Sequence, residues 1–161
     1  MKFKTAGELQ NFSFDDAVIR ELTVDEGQIT FLFEGAIVKA GNSQNTRMQD
    51  MYCGEICLQL QNAHILKIIK EGYKYYDAND QLQEEVPNEE VPAPAQASVL
   101  ERCGSGTLFT IVREQDDDAV YGFGIDVPQK EDEDEIDTYW LCLKFQQDQE
   151  QWDRFQTPLN P

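Results

Sequence analysis

The sequence predicts a mainly β protein: an antiparallel β-sandwich or partly open β-barrel of about eight strands, with a Pro/Glu-rich loop and at most short helices. Three observations carry this. Apolar and polar residues alternate along most of the chain, as in half-buried strands. Short Gly, Asx and acidic turns separate the runs, as antiparallel neighbours require. Strands do not alternate with long helices, which excludes a doubly wound α/β fold.

Taken in order, Ala17 to Val24 is rich in β-branched and aliphatic residues. Asp25-Glu26-Gly27 turns the chain, and Gln28 to Lys39 returns with Ile29, Phe31 and Phe33 on one face. Gly35 marks a bulge or bend in that run. After a polar loop at 40–46, Met51 to Gln61 reads as one strand with Ile56, Leu58 and Leu60 inward. Asn62 and Ala63 form a tight connection to Ile65–Tyr76, which is apolar on both faces at first and is expected to be central there. Asp77 to Asp80 is a turn, and Gln81 to Val86 returns as a short edge strand.

Residues 84–98 hold three prolines and four glutamates, and are expected to be a mobile loop or spacer. A short helical turn at Val99 to Arg102 stops at Gly104. Strands follow at Thr107–Arg113, Ala119–Val127 and Thr138–Phe145, joined by acidic segments. Gly122 and Gly124 inside the middle strand mark a bend or packing notch. The C-terminal tail, 147–161, is expected to carry a short helix at Asp148–Phe155, with Trp152 and Phe155 spaced i to i+3. The 161 residues are expected to form a single β-rich domain, because the stretch after the Pro-rich segment holds few strands for a core of its own.

Acids outnumber bases 31 to 13, giving a formal net charge of −18. Residues 80–101 hold six acids and no base, and residues 114–137 hold eleven acids and Lys130. The strand framework is therefore close to neutral. Such a chain repels phosphate, so nucleic acid is excluded as the leading partner and an anionic membrane surface is disfavoured. No apolar run approaches the roughly 18 residues of a membrane span. The basic start lacks the apolar core of a secretory signal, and a cytoplasmic location is expected.

Catalytic and metal chemistry find little support. The only histidine, His64, sits at the head of an apolar strand. No Gly-x-Ser-x-Gly elbow occurs, and Gly104-Ser-Gly106 lacks the rest of a phosphate loop. Asp15-Asp16 reads as a turn. Cys53, Cys57, Cys103 and Cys142 lack zinc-knuckle pairing. Cys53 and Cys57 in one strand would share a face roughly 13 Å apart, too far to share an ion. From Asp77 the calcium-loop template fails at Leu82 and Asn88. No metal, cofactor or catalytic residue is assigned.

Two candidate surfaces remain. Asp116, Asp117, Asp118, Glu131, Asp132, Glu133, Asp134 and Glu135 are candidates for binding a basic protein. Tyr73, Tyr75 and Trp140 are candidates for lining a small-molecule cavity. The opening Phe12-Ser-Phe-Asp-Asp-Ala-Val-Ile19-Arg-Glu-Leu22 and its hairpin resemble the start of several uncharacterised bacterial β-rich small proteins, some of them immunity-protein-like. The resemblance covers about 35 residues. It implies a non-enzymatic, protein-binding role and carries over no catalytic residues.

Overall fold

The computed structural model describes residues 1–117, 119–129, 132 and 134–159. In chain order the strands are β1 (Phe3–Ala6), β2 (Phe12–Ser13), β3 (Val18–Asp25), β4 (Gln28–Glu34), β5 (Ile37–Val38), β6 (Met51–Tyr52), β7 (Glu55–Gln61), β8 (His64–Lys70), β9 (Tyr73–Tyr76), β10 (Leu82–Val86) and β11 (Glu89–Glu90). Helix α1 (Ala93–Cys103) follows, then β12 (Thr107–Arg113), β13 (Val120–Pro128), β14 (Ile136–Lys144) and β15 (Gln147–Trp152).

The protein is mainly β and its sheets are antiparallel. Ten strands form one sheet in the order β1-β15-β7-β4-β3-β12-β13-β14-β8-β11. Strands β2, β5 and β6 make a small sheet, and β9 and β10 a separate hairpin. Strands β3 and β12 share a single register pair, Val18 with Thr107, so the long sheet has a weak seam there. Across it, Phe31 of β4 and Phe123 of β13 stand three strands apart, about 14 Å on a flat sheet. Their rings nevertheless stack with centroids 5.3 Å apart. The sheet must therefore coil until its two halves face each other. The two ends do not meet, and the sheet is not a closed barrel.

One apolar cluster fills the space between. Ile29, Phe31 and Phe33 of β4, Ile56, Leu58 and Leu60 of β7, Phe123 and Ile125 of β13, and Leu141 and Leu143 of β14 are all buried in it. Those of β4 and β7 are the alternating positions that the sequence marks as one inward face. Helix α1 packs on β3 and β13 and sends Val99 and Cys103 into the same cluster. On the other flank, Phe12 and Phe14 of the small sheet's arm join Phe33 and Trp152.

Several expectations are corrected. There are more than eight strands, because glycines break the long runs. Gly35, at φ +92°, lets the chain leave the long sheet after β4 and enter the small one as β5. Gly54, at φ +72°, divides the expected Met51–Gln61 strand into β6 and β7. Cys53 therefore sits at a break between sheets, so the distance argued from a continuous strand does not apply. The Pro/Glu-rich segment 84–98 is the end of β10, all of β11 and the first half of α1. Pro92 caps that helix and Pro94 lies in its first turn, where a missing N–H costs nothing. Strand β8 is not central. It lies next to the sheet's end, with only β11 outside it, and Leu66 is exposed. The expected helix at 148–155 is instead β15, held between β1 and β7. Trp152 and Phe155 do touch, edge to face at 6.0 Å.

Gly106 leads from α1 into β12 where there is no room for a side chain. A Cβ there would stand 2.7 Å from the Asp126 carbonyl oxygen and 2.9 Å from Ile125. Gly106→Ala should cost about 1–3 kcal/mol, by overpacking against backbone. Gly41→Ala, which meets nothing closer than 3.8 Å, should be near neutral. Urea unfolding of the two variants checks this. Equal midpoints would show that the Gly106 contact is not a constraint.

Candidate functional site

Tyr73, Tyr75 and Tyr76 are exposed at one end of the long sheet, which the acidic β13–β14 loop also reaches. Strand β8 ends at Lys70, and Glu71 N–H donates to the Thr138 carbonyl at 2.8 Å. Gly72 then passes so close to β10 that a Cβ would lie 1.9 Å from the Val86 carbonyl oxygen. Only glycine permits this approach. Gly72 N–H also donates to Asn88 Oδ1 at 2.7 Å, closing the base of the β9–β10 hairpin. At its tip, Asp77 Oδ1 accepts from the N–H groups of Asn79 and Gln81, an Asx turn, and Asp80 takes positive φ.

Every residue of β9 and β10 is exposed. Tyr73, Tyr75, Tyr76, Leu82 and Val86 are among the molecule's exposed large apolar side chains. An isolated two-stranded hairpin gains little stability on its own, so apolar residues on both its faces are a surface feature rather than core. The Tyr73 hydroxyl lies 3.3 Å from Glu84 Oε1. Its pKa is pushed up, first by the Glu84 charge and to a smaller degree by Glu135. Strand register brings the start of β14 to this same end, Lys70 standing opposite Tyr139. Glu84 and Glu85 lie on the hairpin and Glu89 and Glu90 follow it as β11, while the β13–β14 loop with Asp132, Asp134 and Glu135 leaves the sheet at the same end; Lys74 pairs with Glu85 at 3.7 Å.

The base of this end is ionically tied. Arg102 of α1 donates to Asp137 Oδ2 at 3.1 Å, to the Tyr139 hydroxyl at 2.9 Å and to the Pro128 carbonyl at 3.2 Å. Burial alone would lower the Arg102 pKa, but these partners leave it raised. Lys70 approaches Asp137 from β8 at 3.9 Å. Arg102 and Asp137 are therefore positioning residues of this end. Sequence reasoning missed them because Asp137 looked like one more loop acid and Arg102 like the end of a helical turn.

The sequence-derived site residues do not all come together. The β12–β13 turn carries Asp116 and Asp117, and the β13–β14 loop carries Asp132, Asp134 and Glu135. These connections lie at opposite ends of β13, about 27 Å apart for nine strand residues. Asp117 serves its own turn: Ala119 N–H and then Lys144 hold its carboxyl below the usual range. Asp118, Glu131 and Glu133 lie outside the described residues. Tyr73 and Tyr75 stand on the hairpin, whereas Trp140 lies on the outer face of β14. There its ring covers Gly122 and Gly124, the packing notch expected from those glycines, and meets Phe109 edge to face at 6.2 Å. These three residues enclose no common cavity.

The other reactive groups are spread out. His64 is exposed on β8 opposite Lys144. Asp15 and Asp16 form the tight turn before β3, with Asp16 at φ 65°. All four cysteines are free, and burial pushes the Cys53 and Cys103 thiols up to about 12, which makes them inert. Among the described residues no cluster of three His, Cys, Asp or Glu side chains could hold a metal ion.

One acidic group was not anticipated. Asp148, Glu150 and Trp152 point inward from β15, and Glu150 is fully buried. Thr5 of β1 donates its hydroxyl to Glu150 Oε1 at 2.8 Å. With both acids ionised, Asp148 Oδ2 and Glu150 Oε2 would face each other without a donor. A proton held by Glu150 supplies that donor. Desolvation, first, and then the Asp148 carboxyl push the Glu150 pKa up to about 9. Glu8, bridged to Ser43 through its hydroxyl and N–H, adds a further negative charge nearby. Burial would raise the Glu8 pKa too, but the Ser43 and Asn11 bonds leave it lowered. The sequence signal was available: with Trp152 inward, period 2 sends 150 and 148 inward as well.

No protein-family model, curated protein or solved structure matches the chain.

The buried acid has a directional pH consequence. Glu150 titrates near its ordinary 4.5 when unfolded and near 9 when folded. Its contribution to stability is therefore complete below pH 4.5 and is lost as the pH rises towards 9. Over that window the wild type should lose on the order of a few kcal/mol relative to Glu150→Gln, whose amide is neutral throughout. Urea unfolding at pH 5, 7 and 9 checks this. Parallel profiles for the two proteins would mean that Glu150 is not held as a neutral acid.

Proposed function

We propose that the chain is a non-catalytic protein-interaction module that binds a basic protein, in the manner of an immunity or inhibitor protein. The observation that carries this reading is the β9–β10 hairpin. It presents three exposed tyrosines and two aliphatic residues beside Glu84 and Glu85, at the end of the sheet that the acidic β13–β14 loop also reaches. Aromatic anchors give contact area, and acidic surroundings steer a cationic partner and set its orientation. A nuclease or another enzyme with a phosphate-binding cleft has the surface chemistry that such an end would cover. The N-terminal resemblance to bacterial immunity-like proteins leans the same way, as does the scatter of His64, Asp15 and the cysteines.

In this reading the coiled sheet is a β-sandwich, the stacking of Phe31 on Phe123 supporting two facing layers. Four free cysteines fit a reducing compartment, and we place the protein in the bacterial cytoplasm. No helix is long and apolar enough to cross a membrane among the described residues. Of the acidic loop face, Asp132, Asp134 and Glu135 belong to the interaction surface, while Asp116 and Asp117 lie too far away to join it. Because Tyr73, Tyr75 and Trp140 do not converge, a small-molecule function has to draw on other residues.

Affinity capture from a native bacterial lysate, at low and at moderate salt, tests the proposal. The wild type should retain a basic protein more strongly at low salt. Tyr73→Ala/Tyr75→Ala and Asp132→Asn/Asp134→Asn/Glu135→Gln should each weaken capture about tenfold or more, with the fold intact by circular dichroism. Equal capture by all three proteins, or no capture by the wild type at either salt, would overturn it.

A further inference from the structure

We propose that the protein pairs with a second copy of itself, as a reversible two-fold dimer, through the outer face of β3, β4, β7, β15 and β1. These strands form the half of the long sheet remote in strand order from β8 and the β9–β10 hairpin, so the pairing is independent of the acidic end.

Register aligns the outward residues of these strands in rows. Alternate residues of β4, β7 and β15 are buried, and the others face out. One row runs Asp25, Gln28, Gln61, Gln147, and the next Thr23, Thr30, Gln59, Gln149, Ala6. The third runs Glu21, Leu32, Cys57, Gln151, Lys4. Six glutamines therefore stand side by side across three strands. Among the described residues their side chains form no hydrogen bond. Each amide carries two donors and an acceptor oxygen, so rows of amides are complementary to themselves.

Charge selects a second copy as the occupant. Two chains of net charge −18 repel each other, so a face close to neutral is where they can approach. The charged residues of the three rows, Lys4, Glu21 and Asp25, lie only at the margins, and Glu34 and Glu55 bound the patch on the next row. Strand β7 is the middle of the five. A two-fold axis along it, midway between the copies, lays β1 over the second copy's β3 and β15 over its β4. Lys4 then meets the second copy's Glu21, twice by symmetry, and Gln59 meets its own equivalent. Within one copy Lys4 and Glu21 stand four strands apart, about 19 Å. Among the described residues neither forms an ion pair. The patch covers roughly 24 Å by 20 Å, or about 1,000 Å² over both copies, the size of a weak, reversible interface.

Sedimentation equilibrium of the full chain over a range of concentrations tests the pairing, each variant being checked as folded by circular dichroism. The wild type should shift reversibly from monomer to dimer as its concentration rises. Gln59→Glu sets two carboxylates against each other on the axis and should weaken dimerisation about tenfold or more. Lys4→Glu and Glu21→Lys should each weaken it about fivefold or more, while Lys4→Glu/Glu21→Lys together should return it to within about twofold of the wild type. Because the two residues are far apart within one copy, such a rescue requires contact between copies. A monomer at every concentration, a dimer indifferent to Gln59→Glu, or a double reversal no better than the single ones would each overturn the proposal.

Discussion

The contact of Phe31 with Phe123 depends on a sheet that cannot stay flat. Ten strands with one apolar face each would leave that face in water if laid out in a plane. Burial of apolar area, about 25 cal/mol per Å², favours bringing the two halves together. Between those halves β3 and β12 share the lone Val18–Thr107 register pair. Everything else follows that fold-over. Helix α1 finds a place on β3 and β13, the small sheet covers the flank near Phe33 and Trp152, and β1 and β11 are left as the sheet's unjoined edges.

The same geometry sorts the charge. Antiparallel connections alternate between the two ends of a sheet, so acidic segments close in sequence are delivered to opposite poles. The β13–β14 loop reaches the pole that also receives the β9–β10 hairpin, because β8 and β14 are neighbours. The β12–β13 turn goes to the other pole. A strongly acidic chain thereby acquires one end that carries both carboxylates and exposed tyrosines.

Strand β15 shows why part of this was hidden. Its inward residues are Asp148, Glu150 and Trp152, so the usual apolar alternation is replaced by acids at two of three core positions. Read for hydrophobicity, the segment has no strand pattern, and the spacing of Trp152 to Phe155 mimics a helix. What makes the strand possible is a proton: a neutral Glu150 can donate to Asp148 and accept from Thr5, and so lie beside Leu58 in the core. Residues 84–98 misled for a different reason. Prolines that discourage helix in the interior are harmless in the first turn, and where α1 begins depends on its packing against β3 and β13.

The sequence by itself determined the β class, the antiparallel turns and the inward positions of β4 and β7, because a period of two and Gly or Asx turn chemistry are local properties. It also placed the excess charge in two segments and marked Gly122 and Gly124 as a bend or a packing notch. The tertiary structure decided which of those segments share a pole, that Trp140 and the hairpin tyrosines stay apart, and that Arg102 and Asp137 brace the acidic end. It alone set Thr5 of β1 against Glu150 of β15. Those features join residues separated by tens to more than a hundred positions, and their distances depend on where the sheet coils, which no local pattern encodes.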